Sequence, residues 1–168
     1  GPEQAPLAKK ARLVGYSPKK IRELVTKSAE EKTKNGWEDY QKALKEFQDA
    51  KYPSASKMLR EFHTTYPESK YLDHILYLKA EAEYRNTFKE LNPIFDRALA
   101  SYKLAMREFP KSKFYDHALL KVGSIFDEIG YNLEARALYN QGIKSKPKSL
   151  YNEARKNSLA AMLMKEGR

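Results

Sequence analysis

Cysteine is absent from the 168-residue chain, so disulfide bonds and thiolate metal sites are excluded. That absence leaves the compartment open, because a periplasmic protein can fold without disulfides. No apolar run approaches the roughly 18 residues that a membrane-spanning helix needs. Valine occurs only three times, whereas the helix-forming residues Lys, Glu, Ala and Leu are abundant. We therefore predict an all-α fold.

Sequence patterns typical of enzymes are also missing. The chain has no G-x-S-x-G turn, no cysteine nucleophile and no Gly-rich phosphate loop. His74 and His117 each follow an aspartate directly. Because neighbouring residues on a helix point about 100° apart, the aspartate and the histidine of each pair do not converge on one ion. No H-E-x-x-H or other full ligand set accompanies them. We expect a non-enzymatic protein with no metal and no other cofactor.

The net charge of +10 is concentrated at the two ends of the chain. Residues 1–36 carry 9 basic and 4 acidic side chains, residues 37–110 carry 12 of each, and residues 111–168 carry 11 basic and 6 acidic. Each end therefore has an excess of five positive charges. The two basic patches consist of Lys9, Lys10, Arg12, Lys19, Lys20 and Arg22, and of Lys144, Lys146 and Lys148.

Several partners would be attracted to such ends. An acidic protein and an anionic membrane surface both fit the lysines, but a solvated surface without a ligand is the favoured interpretation. Nucleic acid is the least favoured partner, because no stacking motif or recognised nucleic-acid fold accompanies the charge.

One nine-residue pattern occurs three times, as "YPESKYLDH" from Tyr66, "FPKSKFYDH" from Phe109 and, more loosely, "KPKSLYNEA" from Lys146. Each copy has a proline, a serine two residues later and an acid four residues after the serine. We interpret the proline as the end of one helix and the serine as the N-cap of the next. The acid would then lie in the first helical turn, where the helix dipole favours negative charge. The serines are Ser69, Ser112 and Ser149, and the acids are Asp73, Asp116 and Glu153.

These joints divide the chain into helical hairpins. Residues 1–15 begin with Gly-Pro, which is typical of a cleaved tag, and we interpret them as a tag scar and a mobile lead-in. Residues 16–36 predict an amphipathic helix capped by Ser17. Hairpins follow over about 37–69, 70–112 and 113–149, and a capping helix over 150–166 closes the chain.

A recurring exchange of small and large residues supports this division. In every hairpin an alanine precedes the proline by twelve residues and a bulky residue follows that alanine by four. Small residues recur in each first helix, as expected where one helix makes room for a large side chain of its neighbour. The alanines are Ala55, Ala98 and Ala135; the bulky residues are Leu59, Tyr102 and Tyr139; the small residues are Ala43, Ala80, Gly123 and Ala160.

The pattern resembles the tetratricopeptide-repeat family most closely over residues 116–149. The matching positions there are Gly123, Phe126, Gly130, Ala135, Tyr139, Gly142 and Pro147. The first hairpin has Ala50 in place of the turn glycine and Leu59 in place of an aromatic residue. The second has no turn glycine, and six extra residues fall around "RNTFKELNPIF". The resemblance implies a right-handed α-solenoid of about three hairpins, with an N-terminal packing helix and a C-terminal capping helix.

Lengthened repeats joined by "YPxSxY" turns are similar to those of bacterial envelope proteins, of the kind represented by the outer-membrane assembly lipoprotein and the Tol–Pal coordinator. That similarity implies a protein–protein interaction scaffold in the periplasm or at the outer membrane, serving an outer-membrane, motility or secretion assembly. A cytoplasmic location is the alternative.

In this family the first helix of each hairpin lines a groove that holds partner segments. Tyr84 and Leu44 could instead belong to the core, since the repeat register is uncertain by one residue. The groove positions that the resemblance implies are Trp37, Tyr40, Leu44, His74, Tyr77, Glu81, Tyr84, Arg85, His117, Ser124, Asp127, Glu128 and Asn157.

Overall fold

The structure is a computed structural model that describes residues 4–167, and within that range it consists of α-helices joined by turns and loops, with no strand. The all-α prediction is confirmed. The first two residues, interpreted as a tag scar, lie outside the described range. The helices are α1 (Gln4–Leu13), α2 (Pro18–Lys34), α3 (Trp37–Gln48), α4 (Tyr52–Thr65), α5 (Leu72–Thr87), α6 (Asp96–Glu108), α7 (Tyr115–Glu128), α8 (Asn132–Ser145) and α9 (Asn152–Lys165).

The lead-in differs from its prediction, because Gln4–Leu13 form the helix α1. Pro6 lies in the first turn of α1, where the backbone N–H groups have no intrahelical partner, so it does not break the helix. α1 packs against α2 with Ala11 buried. The predicted N-cap of α2 is confirmed, since Ser17 Oγ accepts from the backbone N–H of Lys20 at 3.2 Å.

The three prolines lie two residues beyond the ends of α4, α6 and α8, as predicted. The residue before each proline has left the helical region, with φ between −124° and −132° and ψ between 63° and 66°. This conformation follows from the clash between the proline ring and a helical preceding residue. We call the segments 66–71, 109–114 and 146–151 the joints.

The predicted small-to-large packing is confirmed in all three hairpins. Ala55, Ala98 and Ala135 have no exposed surface, and the three bulky residues that follow them are at most 1% exposed. A Cβ at Gly123 would lie 2.8 Å from a ring carbon of Tyr139, so only glycine fits there. Ala160 is the exception and is exposed, because no second helix follows α9 in the part of the chain that the structure describes.

The joint serines bind a backbone N–H, but a different one from that predicted. Each Oγ accepts from the residue just before the next helix, so it closes the joint rather than the first helical turn, and the predicted N-cap role is wrong. The N-to-Oγ distances are 3.1 Å for Tyr71 and Ser69, 3.2 Å for Phe114 and Ser112, and 3.0 Å for Tyr151 and Ser149.

The same hydroxyls connect each joint to the preceding repeat. Ser112 donates to the carboxylate of Asp73 at 2.9 Å, and Ser149 donates to that of Asp116. In the first joint the donor to the equivalent acid, Asp39, is the hydroxyl of Tyr66 at 2.7 Å. The acids Asp73, Asp116 and Glu153 lie in the first helical turn as predicted, and Glu153 alone among them accepts from no described residue. The repeated sequence therefore encodes an acid and the hydroxyl that binds the acid of the repeat before.

The extra residues of the second hairpin form the segment 88–95 between α5 and α6. α6 begins at Asp96, directly after this segment. Phe95 anchors the end of this segment in the core at 4% exposure, whereas Leu91 is 99% exposed. The insertion thus loops out at the end of the hairpin opposite the joints.

Candidate partner-binding surface

Aromatic residues stand at the start of every first helix, from Trp37 in α3 to the joint residues Tyr71, Phe114 and Tyr151. Each of these rings contacts a second ring, which lies three residues after an aromatic residue of this kind. Trp37 contacts Tyr40 of its own repeat, whereas Tyr71, Phe114 and Tyr151 each contact a ring of the preceding repeat. We call the resulting row the ring ladder, which consists of Trp37, Tyr40, Tyr71, His74, Phe114, His117 and Tyr151. All seven side chains are half-buried, so each presents part of its ring at the surface.

The ladder is closely spaced through its first two repeats. Tyr40 and Tyr71 are stacked with centroids 4.5 Å apart and planes 6° apart, and Trp37 lies 5.7 Å from Tyr71. His74 stacks on Phe114 at 4.7 Å and is hydrogen-bonded through Nδ1 to the Tyr40 hydroxyl at 2.6 Å. Such ring pairs stabilise the repeat interfaces by about 0.5–1.5 kcal/mol each beyond their burial.

A second, shorter part of the ladder continues in the third repeat, where His117 contacts Tyr151 with centroids 5.3 Å apart. The two parts are separated by a cavity of about 100 Å³. Its lining residues are His74, Tyr77, Leu78, Glu81, Tyr102, Phe114, His117 and Ala118. The cavity is mostly apolar with a few polar groups, a composition suited to receiving one side chain of a bound segment.

A lysine side chain lies over each of three ladder rings, those of Trp37, Tyr71 and Phe114. Lys32 is 5.3 Å from the centre of Trp37, Lys70 is 5.6 Å from Tyr71, and Lys113 is 5.2 Å from Phe114. The ladder therefore combines apolar ring surface with positive charge. This arrangement would attract a partner that carries carboxylates.

Burial lowers the pKa of both ladder histidines. The effect of burial on the pKa of His74 exceeds the opposing influence of Asp73, and on His117 it exceeds that of Glu81. Both imidazoles are therefore neutral at physiological pH and offer hydrogen bonds rather than charge.

A compact polar cluster lies beside the cavity and fixes its shape. Burial alone would raise the pKa of Glu81, but the hydrogen bond from Tyr102, the charge of Lys121 and the hydrogen bond from Arg85 outweigh it and lower the pKa. Arg85 Nε lies 3.0 Å from Glu81, and its guanidinium also donates to the Tyr52 hydroxyl at 3.1 Å. Burial, together with the negative charge of Glu81, raises the pKa of Tyr102, which stays protonated. Glu81 is therefore ionised, and the charges of Arg85 and Lys121 balance it within this cluster.

The structure places the predicted groove residues in three groups. Trp37, Tyr40, His74 and His117 belong to the ring ladder and are accessible. Tyr77 and Glu81 line the cavity and are only 4% and 9% exposed, so a partner would reach them only through that cavity. Tyr77 is buried because its hydroxyl donates to the carbonyl of Phe109 in the next joint at 2.9 Å.

Of the remaining predicted residues, Tyr84 packs against the core, which is the alternative that the sequence left open. Arg85 is exposed, but its charge is engaged by Glu81. The others do not line the cavity and are half-buried or exposed on their helices; these are Leu44, Ser124, Asp127, Glu128 and Asn157.

Sequence reasoning missed the joint aromatics Tyr71, Phe114 and Tyr151 as surface residues. A signal was available, because all three copies of the nine-residue pattern have an aromatic residue at the sixth position. The proline and serine of the pattern predict a joint, but they do not indicate that the aromatic side chain contacts the preceding repeat.

The predicted basic patches differ from one another in the structure. Lys9, Lys10, Arg12, Lys19, Lys20 and Arg22 are all exposed on α1 and α2. Lys144 and Lys148 are exposed as well. Lys146 is half-buried, lies 5.7 Å from the ring centre of Tyr115, and contributes to the low pKa of Asp116. Lys146 is thus the least exposed residue of its patch and belongs to the last joint.

Within residues 4–167, no three His, Asp or Glu side chains are grouped closely enough to hold a metal ion. No helix in this range has the length and hydropathy of a membrane span. Comparison with known protein families and with curated proteins found no match.

Proposed function

We propose that the chain is a tetratricopeptide-like α-solenoid that acts as a non-enzymatic scaffold, docking partner proteins of an assembly in the bacterial cell envelope. The observation that carries this proposal is the ring ladder, a row of half-exposed rings in two parts on either side of the cavity, with lysines over three of the rings. Trp, Tyr and Phe are enriched at protein interfaces, and Trp and Tyr are among the residues that contribute most to binding.

The charge around the ladder favours an extended acidic partner segment. Lys32, Lys70 and Lys113 lie over its rings. Lys70 also pairs with Glu31 at 3.4 Å, while Asp73 and Glu81 are engaged by Ser112 and Arg85. One apolar side chain of the segment would enter the cavity between His74 and His117. Carboxylates on either side would pair with the lysines and speed association.

A photo-crosslinking amino acid at position 117 or at position 57 tests this function in the cells that make the protein. His117 lies on the ladder, whereas Lys57 is exposed on the second helix α4. We expect discrete protein adducts from position 117 and none from position 57. Membrane fractionation of the same cells should place the adducts in the envelope.

The matched variants are Lys70→Glu with Lys113→Glu on the ladder, and Lys57→Glu with Lys144→Glu away from it. All four lysines are exposed, so the folded state should tolerate both changes. The ladder variant should lose the adducts while the control keeps them. Equal crosslinking from positions 117 and 57, or adducts that survive the ladder variant, would contradict the proposal.

A further inference from the structure

The turn between α1 and α2 presents an apolar tip that no other part of the described chain covers. Leu13 is 77% exposed, Val14 is 70% exposed and Tyr16 is 49% exposed. The interior of this hairpin is filled by other residues, among them Ala11 and the half-buried Ile21. The tip side chains therefore contribute little to folding, and their exposure needs another explanation.

The backbone of the tip is already satisfied by its own hydrogen bonds. The N–H of Gly15 donates to the carbonyl of Arg12 at 3.0 Å, and the N–H of Tyr16 donates to that of Ala11 at 3.1 Å. With Gly15 at φ 83°, this is the Schellman arrangement that closes a helix C-terminus. Ser17 caps the start of α2 immediately afterwards. The tip can thus leave bulk water without stranding its turn amides.

The segment that contains this apolar tip carries positive side chains and no negative one. Residues 4–22 contain six basic side chains and no acid. All six are exposed, and none forms an ion pair with a described residue. They are Lys9, Lys10, Arg12, Lys19, Lys20 and Arg22.

We propose that the α1–α2 tip docks on a bilayer that contains anionic phospholipid. The cations would lie among the headgroups, and Leu13, Val14 and Tyr16 would enter the boundary between headgroups and acyl chains. Charge alone would suit nucleic acid as well, but exposed Leu and Val have no favourable place against phosphates, whereas a lipid interface accommodates them. This site is separate from the ring ladder and could hold a membrane while a partner occupies the ladder.

Co-sedimentation of the full chain with vesicles tests the proposal, using phosphatidylcholine with and without phosphatidylglycerol. We expect binding only to vesicles with phosphatidylglycerol, and weaker binding as salt rises. The variant Lys10→Glu with Lys20→Glu should weaken binding by more than about tenfold. Leu13→Ser with Val14→Ser should weaken it by about fivefold or more.

Two matched variants at the other end of the chain serve as controls. Lys144→Glu with Lys148→Glu changes the net charge equally, and Leu150→Ser removes a side chain that is 94% exposed. Both should bind vesicles as the unchanged protein does, and circular dichroism should show equal helix content in every variant.

Binding that the Leu13 and Val14 change leaves intact would overturn the tip as the docking element. A single-stranded RNA oligonucleotide provides the other decisive comparison. The contrary result is a chain that binds RNA and no vesicle, with RNA binding lost in the variant Lys10→Glu with Lys20→Glu. That result would show that the tip binds nucleic acid and not a lipid surface.

Discussion

Arg155 in α9 is the largest side chain with no exposed surface, and the last joint is assembled around its charge. Its guanidinium donates to the carboxylate of Asp116 and, at 2.9 Å, to the side chain of Asn152. Gly142 makes room for it, because a Cβ there would overlap with Arg155 Nε. Since a buried cation is costly without its counter-charge, Asp116 should matter more than its position on a helix start suggests.

Asp116→Ala should reduce the free energy of unfolding by about 3 kcal/mol, because it leaves Arg155 buried without a carboxylate. The matched control is Glu153→Ala, which removes the equivalent acid of the last joint, where no described residue donates to it. That change should cost less than about 0.5 kcal/mol. Urea denaturation at neutral pH measures both, and similar costs for the two variants would refute the role of the pair.

The same pair predicts a pH dependence. Burial alone would raise the pKa of Asp116, but hydrogen bonds from Ser149 and Arg155 outweigh it and lower the pKa. A lowered folded-state pKa stabilises the fold above the unfolded value, and the contribution is lost as the pH falls through the folded value. The difference between the unchanged protein and Asp116→Ala should therefore shrink below about pH 4.

The turns inside the first and third hairpins are built alike, although only one contains glycine. Ala50 has φ 59° and Gly130 has φ 89°. In each turn the N–H of this residue donates to the carbonyl three residues before it, and the N–H of the next residue donates to the carbonyl five residues before its own position. This is the left-handed conformation that ends a helix and that an alanine adopts at a cost of about 1–2 kcal/mol. Ala50 replaces the turn glycine of the repeat pattern, but its backbone adopts the same left-handed conformation as Gly130.

Ala50→Gly should therefore raise the free energy of unfolding by about 1 kcal/mol, by removing this strain. Gly130→Ala is the reciprocal change and should lower it by a similar amount. No atom lies within 4 Å of a Cβ at Gly130, so its effect reports the backbone alone. Thermal or urea unfolding of the two variants measures both signs, and a shared sign would contradict the argument.

The sequence predicted helix ends well but side-chain accessibility poorly. Pro67, Pro110 and Pro147 stop helices through local sterics, so their effect needs no knowledge of the tertiary structure. Accessibility depends on a neighbouring repeat, as for Tyr77, which is covered by the joint that follows it. α1 was missed because Pro6 counts against a helix in composition, although it is tolerated in a first turn.

Contacts in the whole molecule run mainly between helices that are neighbours along the chain. In such an arrangement stability is close to a sum of local terms, so distant parts can unfold separately. The single tryptophan, Trp37, reports the first repeat, because its ring contacts Tyr40 and Tyr71.

We therefore expect Asp116→Ala to shift the urea transition followed by circular dichroism, while the transition followed by Trp37 emission moves much less. In the unchanged protein the two transitions need not coincide. Equal shifts of both signals would instead show that the array unfolds as one cooperative unit.

The interlocked joints also determine where this chain can change length in evolution. Asp39, Asp73 and Asp116 are each bound by a hydroxyl of the next joint, so a segment gained or lost between an acid and that joint must be a complete joint-to-joint unit. The turn between the two helices of a hairpin is under no such constraint, and the one insertion, residues 88–95, lies there. Homologous chains should accordingly differ by whole hairpins or by the size of these turns, with the spacing from serine to acid unchanged.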